Sequence, residues 1–114
     1  MAGECWSARA IIDRLGADEA LARELVTLFL AEYPKMIAAV RESVARGVAD
    51  EIRRAAHALK GSVANFTEGA PMHAALAMEM LAREGRVEST ANALEALERE
   101  MQRFIVELEE FIRS

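Results

Sequence analysis

The chain of 114 residues has little of what marks several kinds of protein. Cys5 is its only cysteine, which excludes an internal disulfide. Two prolines and an aromatic content of 5% leave a core of aliphatic side chains and favour helices. No apolar run is long enough to cross a bilayer, and the N-terminus lacks the pattern of a signal peptide. The sequence therefore predicts a cytoplasmic protein without membrane insertion.

The chain also lacks the signals of nucleic-acid binding and of nucleotide chemistry. Its net charge of −5 argues against nucleic acid as a partner. It has no glycine-rich phosphate loop, no nucleophile elbow and no cysteine–histidine metal cluster. Because no ATP-binding motif is visible, we expect no kinase activity, no metal site and no cofactor of its own.

What is present is a helical pattern with short connections. We predict an all-α fold, an antiparallel up-down four-helix bundle with one or two additional N-terminal helices. Residues 1–6 are expected to form a flexible leader, and residues 7–114 a single domain. The last helix, from about residue 90 to 111, has apolar residues three and four apart, typical of a bundle seam: Leu94, Leu97, Met101, Phe104, Leu108 and Phe111.

The boundaries of the earlier helices follow from caps and breakers. Asp18 is expected to begin a helix that runs to about Glu32, and Pro34 to restart or kink the chain. Gly47 is expected to end the next helix, and Asp50 to cap the one that carries His57.

His57 lies in the run Ala-His-Ala-Leu-Lys-Gly-Ser, which has an unusual glycine one turn after the histidine. On a helical wheel, His57 falls about 140° from the apolar stripe that contains Ile52 and Leu59. It shares its face with Arg53 and Arg54. A glycine at Gly61 costs a helix about 1 kcal/mol relative to alanine. Such a cost suggests that something large must approach bare backbone there.

A neutral imidazole is a good nucleophile near neutral pH. A phosphoryl group on it would add about two negative charges, and Lys60 could offset part of that charge. The alternative interpretation is an ordinary surface histidine, which is common on amphipathic helices. That interpretation explains neither Lys60 nor Gly61.

The segment around His57 resembles the histidine-containing phosphotransfer (HPt) domain of bacterial multistep phosphorelays. The resemblance covers roughly residues 7–111, and its landmarks are Arg14-Leu15-Gly16, Leu25-Val26, Leu28-Phe29-Leu30, Pro34, the approach from Asp50 to His57, Asn65-Phe66 and Met78-Glu79. The chain departs from the family pattern at Thr67-Glu68, where Gly-Ala is usual. Either the turn is two residues longer, or Thr67 and Glu68 substitute in place. We prefer the second alternative, because it keeps Met78-Glu79 in register.

The resemblance implies a histidine phosphocarrier that takes a phosphoryl group from a receiver-domain phospho-aspartate onto His57 and passes it to another receiver aspartate. It implies that Glu79 orients the imidazole ring, while Gly61 gives the partner access. Arg53, Arg54 and Ala64 are expected to contact the partners, which are response-regulator receiver domains or a hybrid sensor histidine kinase. Mg²⁺ would come from the receiver, and we expect a monomer.

Two alternatives remain open from the sequence. One is an HPt-type domain that a histidine kinase phosphorylates directly. The other is a non-catalytic helical bundle that serves only for interaction, in which His57 would be dispensable.

Overall fold

The computed structural model describes residues 8–114. The predicted leader, residues 1–6, lies outside the described residues, and so does Cys5. The described chain forms five α-helices and no strand, which confirms the all-α fold. The helices are α1 (Ala8–Arg14), α2 (Glu19–Arg46), α3 (Ala49–Ala64), α4 (Ala70–Arg83) and α5 (Thr90–Arg113), with a short 3₁₀ helix, Val87–Ser89, before α5.

The four long helices α2 to α5 form the bundle. Each packs against the next along the chain, and α2 closes the ring by packing against α5. The connections are short, so neighbouring helices run antiparallel. Gly47, at the C-terminal end of α2, has a φ of 68°, which is the left-handed conformation that glycine adopts without strain. The two-residue link from α2 to α3 is therefore possible, and α1 is the one additional helix within residues 8–114.

Helix α2 is longer than the sequence predicted. The predicted end near Glu32 is wrong, because the helix continues through Pro34 to Arg46. Pro34 lacks an N–H, so the helix loses one backbone hydrogen bond there. Buried side chains on both sides of it, Val26 and Phe29 before and Ile37 and Val40 after, continue along one stripe. Packing of this stripe against the bundle outweighs the local preference of proline.

Helix α3 begins two residues earlier than its expected cap implies. Val48 is the N-cap residue, without a side-chain hydrogen bond, and the helix starts at Ala49. The prediction that Asp50 caps the helix is therefore wrong. Asp50 lies inside the first turn instead, where its carboxylate pairs with Arg53 and Arg54.

The core is aliphatic with a small aromatic centre, as the composition suggested. Five of the six predicted seam residues of α5 are buried, and Leu94 is half-buried. The rings of Phe29 and Phe66 meet edge-on at 5.5 Å between centroids, and Phe104 completes the group. This centre joins α2, the end of α3 and α5, so it fixes the helix that carries His57 relative to the others.

Helix α1 is attached to the C-terminal end of α3. Ile11 is buried at 1% exposure. The Arg14 guanidinium donates to the Ala64 carbonyl through Nε at 3.1 Å and through a terminal nitrogen at 2.8 Å, and it also pairs with Glu68. Thr67 is buried, and its hydroxyl accepts a hydrogen bond from the Gly69 N–H. The segment where the sequence departs from the family pattern is therefore an ordered turn.

Candidate functional site

The imidazole of His57 projects from the outer face of α3. The opposite face of this helix is fully buried, because Ile52, Ala56, Leu59 and Val63 have no exposed surface. The His57 side chain is 62% exposed. The exposure agrees with the position that the helical periodicity predicted, and it leaves the ring open to a second molecule.

Glu79, on α4, contacts the ring from the neighbouring helix. Its Oε2 lies 3.0 Å from His57 Nδ1, and its side chain is only 2% exposed. The carboxylate therefore reaches the ring from inside the helix interface, while the ring itself faces outward.

This contact determines which ring nitrogen is free. An ionised carboxylate can only accept hydrogen bonds, so Nδ1 must carry the proton when it bonds to Glu79. In the neutral ring, Nε2 then bears the lone pair. The nucleophilic nitrogen is the one on the side away from Glu79, where the ring is exposed.

Two cations hold the buried carboxylate in place. Lys60 Nζ lies 2.8 Å from Glu79 Oε1, and Arg83 donates to Oε2 at 2.7 Å. Burial alone would raise the pKa of Glu79, but the Lys60 ammonium and the His57 ring lower it by more, so the pKa lies below its ordinary value. Glu79 is therefore a carboxylate, not a carboxylic acid, at neutral pH.

Gly61 leaves the surface one turn after His57 uncovered. A Cβ built on Gly61 would meet no side chain beyond its chain neighbours and no atom of another described helix within 4 Å, and the φ of Gly61 is not in the left-handed region. Neither internal packing nor backbone conformation requires glycine at this position.

The remaining predicted site residues are Arg53, Arg54 and Ala64, and each contacts other residues of the chain. Arg53 and Arg54 each lie 2.9 Å from a carboxylate oxygen of Asp50. The hydrogen bond from Arg53, with the charge of Arg54, holds the pKa of Asp50 below its usual range. Ala64 is half-buried, and its carbonyl is occupied by Arg14.

Comparison with protein-family models gives a match to the Hpt domain over residues 24–107. The chain belongs to the Hpt domain family. This match covers most of the chain and confirms the family that the sequence suggested. Neither the curated proteins nor the solved structures gave a match.

Membership of the Hpt family makes the chain a histidine phosphotransfer domain of phosphorelay signalling. Hpt domains are phosphotransfer carriers and not kinases. No helix of the described residues is long and apolar enough to span a membrane. Over the same residues, no group of three or more histidine, cysteine, aspartate or glutamate side chains could hold a metal ion.

Two of the grooves that border the His57 helix of this Hpt domain differ in character. One, of about 290 Å³, lies between α3 and α4 and is lined by Ala49, Asp50, Arg53, Ala82 and Arg83. The other, of about 310 Å³, lies between α2 and α3 and is mostly apolar, with lining residues that include Leu25, Leu28, Met36 and Phe66. Leu28 is 57% exposed. The ring of His57 thus has a cationic groove on one side of its helix and an apolar groove on the other.

Sequence reasoning did not assign Arg83 to the site. Its guanidinium shares Glu79 Oε2 with the imidazole, so it belongs to the same cluster. Arg83 follows Glu79 by four residues on a helix, a spacing at which side chains pair, and this signal could have found it. His73, the second histidine, is exposed in the first turn of α4 and is not part of the cluster.

Proposed function

We propose that this Hpt domain carries a phosphoryl group on His57 between two receiver domains. A receiver bearing a phospho-aspartate docks over α3, and Nε2 of His57 attacks its phosphorus. The phosphorylated domain then passes the group to the aspartate of a second receiver. The observation that carries the proposal is the exposed ring whose Nδ1 is bonded to a buried carboxylate, because this arrangement leaves Nε2 as an outward nucleophile.

The receiver and the Hpt domain supply different parts of the transfer chemistry. Phosphoryl transfer depends on positioning and on compensating the charge of the transferred group. The receiver brings Mg²⁺, and the Hpt domain brings the nucleophile. Lys60 and Arg83 supply positive charge next to the ring, and the open surface at Gly61 lets the receiver come close.

The partner surface surrounds His57. Arg53 and Arg54 lie on the ring's side of α3, in a chain whose net charge is −5. Their local positive charge attracts the anionic phosphorylated receiver and orients its approach. Ala64 lies further along the same face. We take the domain, residues 7–114, to act as a cytoplasmic monomer.

Transfer from a phosphorylated receiver tests the proposal. Candidate receivers are phosphorylated with a small-molecule donor, mixed with the Hpt domain and analysed by mass spectrometry under conditions that preserve phosphohistidine. We expect acid-labile phosphate on His57 and none on His73. His57→Gln should accept none, whereas His73→Gln should accept as much as the unaltered protein.

The same assay separates the proposal from its alternatives. If a histidine kinase with ATP labels His57 while no phosphorylated receiver does, the domain is fed directly by the kinase. If His57→Gln retains the full biological output of the protein, it acts as an interaction bundle. Either result would overturn the proposed relay between receivers.

A further inference from the structure

The buried carboxylate beside His57 is shared among three donors. Glu79 Oε2 accepts from His57 Nδ1 and from Arg83, and Oε1 faces Lys60. With 2% of its side chain exposed, Glu79 has almost no contact with water. The two cations balance its charge, so the carboxylate can stay ionised inside the helix interface. An orienting hydrogen bond to a neutral ring could come from an amide, which would need no such counter-charge.

We propose that Glu79 retains the proton on Nδ1 after His57 is phosphorylated, and so keeps the phosphoryl group in its readily transferable form. This inference rests on the proposed function, and it assigns Glu79 a role in the phosphorylated state beyond orienting the free ring. Lys60 and Arg83 are positioning residues that act through Glu79.

The proton on Nδ1 matters because it determines the charge of the imidazole that leaves when the phosphoryl group is passed on. The lone pair of Nε2 forms the N–P bond, the P–O bond to the donor aspartate breaks, and its electron pair leaves with the carboxylate oxygen. The ring keeps its Nδ1 proton and becomes a cationic phosphoimidazolium. When the next receiver attacks the phosphorus, the N–P electron pair returns to Nε2 and a neutral imidazole leaves. If Nδ1 had lost its proton, the leaving group would be an imidazolate anion, which departs far less readily.

An anionic acceptor is what stabilises the cationic ring. Glu79 places a negative charge against Nδ1–H, and a charge-assisted hydrogen bond is roughly twice as strong as a neutral one. The neighbouring cations weaken this stabilisation but leave the hydrogen bond in place, because they contact the carboxylate oxygens and not Nδ1.

The charged groups around the ring come from the helices that pack against α3. From α4 these are Glu79 and Arg83, and on α3 itself they are Lys60 and the group formed by Asp50, Arg53 and Arg54. From α2, Glu32 lines the groove on the other side of α3. Since Asp50 is already paired with two arginines, Glu79 is the carboxylate that contacts Nδ1.

The pH dependence of phosphohistidine decay tests the inference without a partner protein. The domain is phosphorylated with potassium phosphoramidate, in a His73→Asn background that leaves His57 as the chain's one histidine. Loss of phosphate is followed by phosphorus NMR across a range of pH. We expect decay to slow once Nδ1 loses its proton, and Glu79→Gln to move the midpoint of this change down by about one to three pH units. Glu95→Gln, an exposed change on α5, should leave the midpoint where it is.

A midpoint that is the same in Glu79→Gln and in the parent would overturn the inference. Nitrogen NMR of the phosphorylated parent protein gives a second measurement that does not depend on the folding of a variant. At about pH 8, where an ordinary imidazole is neutral, Nδ1 should still show the chemical shift of a protonated nitrogen, and a shift typical of a bare nitrogen would contradict the proposal. Because both measurements use a chemical phosphoryl donor, they test the role of Glu79 independently of the receivers. The inference can therefore fail while transfer from receivers succeeds, and transfer from receivers can fail while the inference holds.

Discussion

Lys60 and Glu79 form an ion pair of 2.8 Å between α3 and α4, with 23% and 2% of their side chains exposed. Lys60 was expected from the sequence to compensate the charge of a phosphoryl group. In the unphosphorylated protein its ammonium is engaged by the carboxylate that contacts His57. The lysine therefore has a structural partner before any phosphate arrives, and this has consequences for stability as well as for transfer.

Replacing Lys60 with methionine should destabilise the domain. Glu79 Oε1 is buried and accepts no hydrogen bond from the described residues, so the Lys60 ammonium, 2.8 Å away, stabilises it by its charge. Removing that ammonium takes one of two counter-charges from a buried carboxylate, which costs about 1–3 kcal/mol. Urea unfolding at neutral pH measures the loss. Arg54→Met removes the same charge from the same helix, but its side chain is 73% exposed, so we expect a change within about 0.5 kcal/mol. Equal losses of unfolding free energy in Lys60→Met and Arg54→Met would show that the Lys60–Glu79 ion pair stabilises the domain no more than an exposed arginine does.

Acid should weaken the domain through Glu79. The folded-state pKa of Glu79 lies below its ordinary value, because Lys60 and His57 outweigh the opposing effect of burial. A group with a lowered folded pKa contributes stability that is present above its unfolded pKa and is lost as the pH falls through the folded value. The difference in unfolding free energy between the parent and Glu79→Gln should therefore shrink as the pH falls below about 4.5. Urea unfolding over that range checks it.

Asp50 provides the matched control for this pH effect. Its pKa is also lowered, first by the hydrogen bond from Arg53 and then by the charge of Arg54, but its side chain is 56% exposed. Salt screens exposed pairs far more than buried ones. The effect of Asp50→Asn on acid stability should disappear in high salt, and that of Glu79→Gln should remain. If high salt abolishes the effects of both substitutions on acid stability, burial does not protect the ion pairs of Glu79 from screening.

Much of this architecture could be predicted from the sequence because the signals were local or periodic. The seam of α5 and the outward direction of His57 follow from helical spacing alone. The path of α2 through Pro34 could not be predicted, since packing of residues far apart in the chain decided it. The contact between Glu79 and His57 depends on the axial register of α3 against α4, which local signals do not determine. Only the family resemblance suggested it. From the sequence, Arg83 could equally face a partner or only aid solubility, because its place in the site depends on its contact with Glu79.

Removing Arg14 should loosen the C-terminal end of the His57 helix. Arg14 donates twice to the Ala64 carbonyl and pairs with Glu68, and these contacts link α1 to α3. We expect Arg14→Ala to cost about 1 kcal/mol and to speed amide exchange in the turn over residues 65–69. Hydrogen exchange followed by mass spectrometry measures this. Arg103→Ala, which removes an exposed arginine of α5, should leave exchange there unaltered.

Replacing Gly61 with alanine should stabilise the domain and impair its function. A Cβ at this position meets no side chain beyond its chain neighbours and no atom of another described helix within 4 Å. The helix therefore gains alanine's higher propensity, about 1 kcal/mol, without a clash. The same Cβ would project into the open surface beside His57, where a receiver must come close. We therefore expect a higher unfolding temperature together with slower transfer from a phosphorylated receiver. Gly85→Ala should instead lower the unfolding temperature, because Gly85 has a φ of 74°, which strains any residue with a Cβ. If Gly61→Ala is more stable and transfers at the parent rate, the open surface has no part in docking.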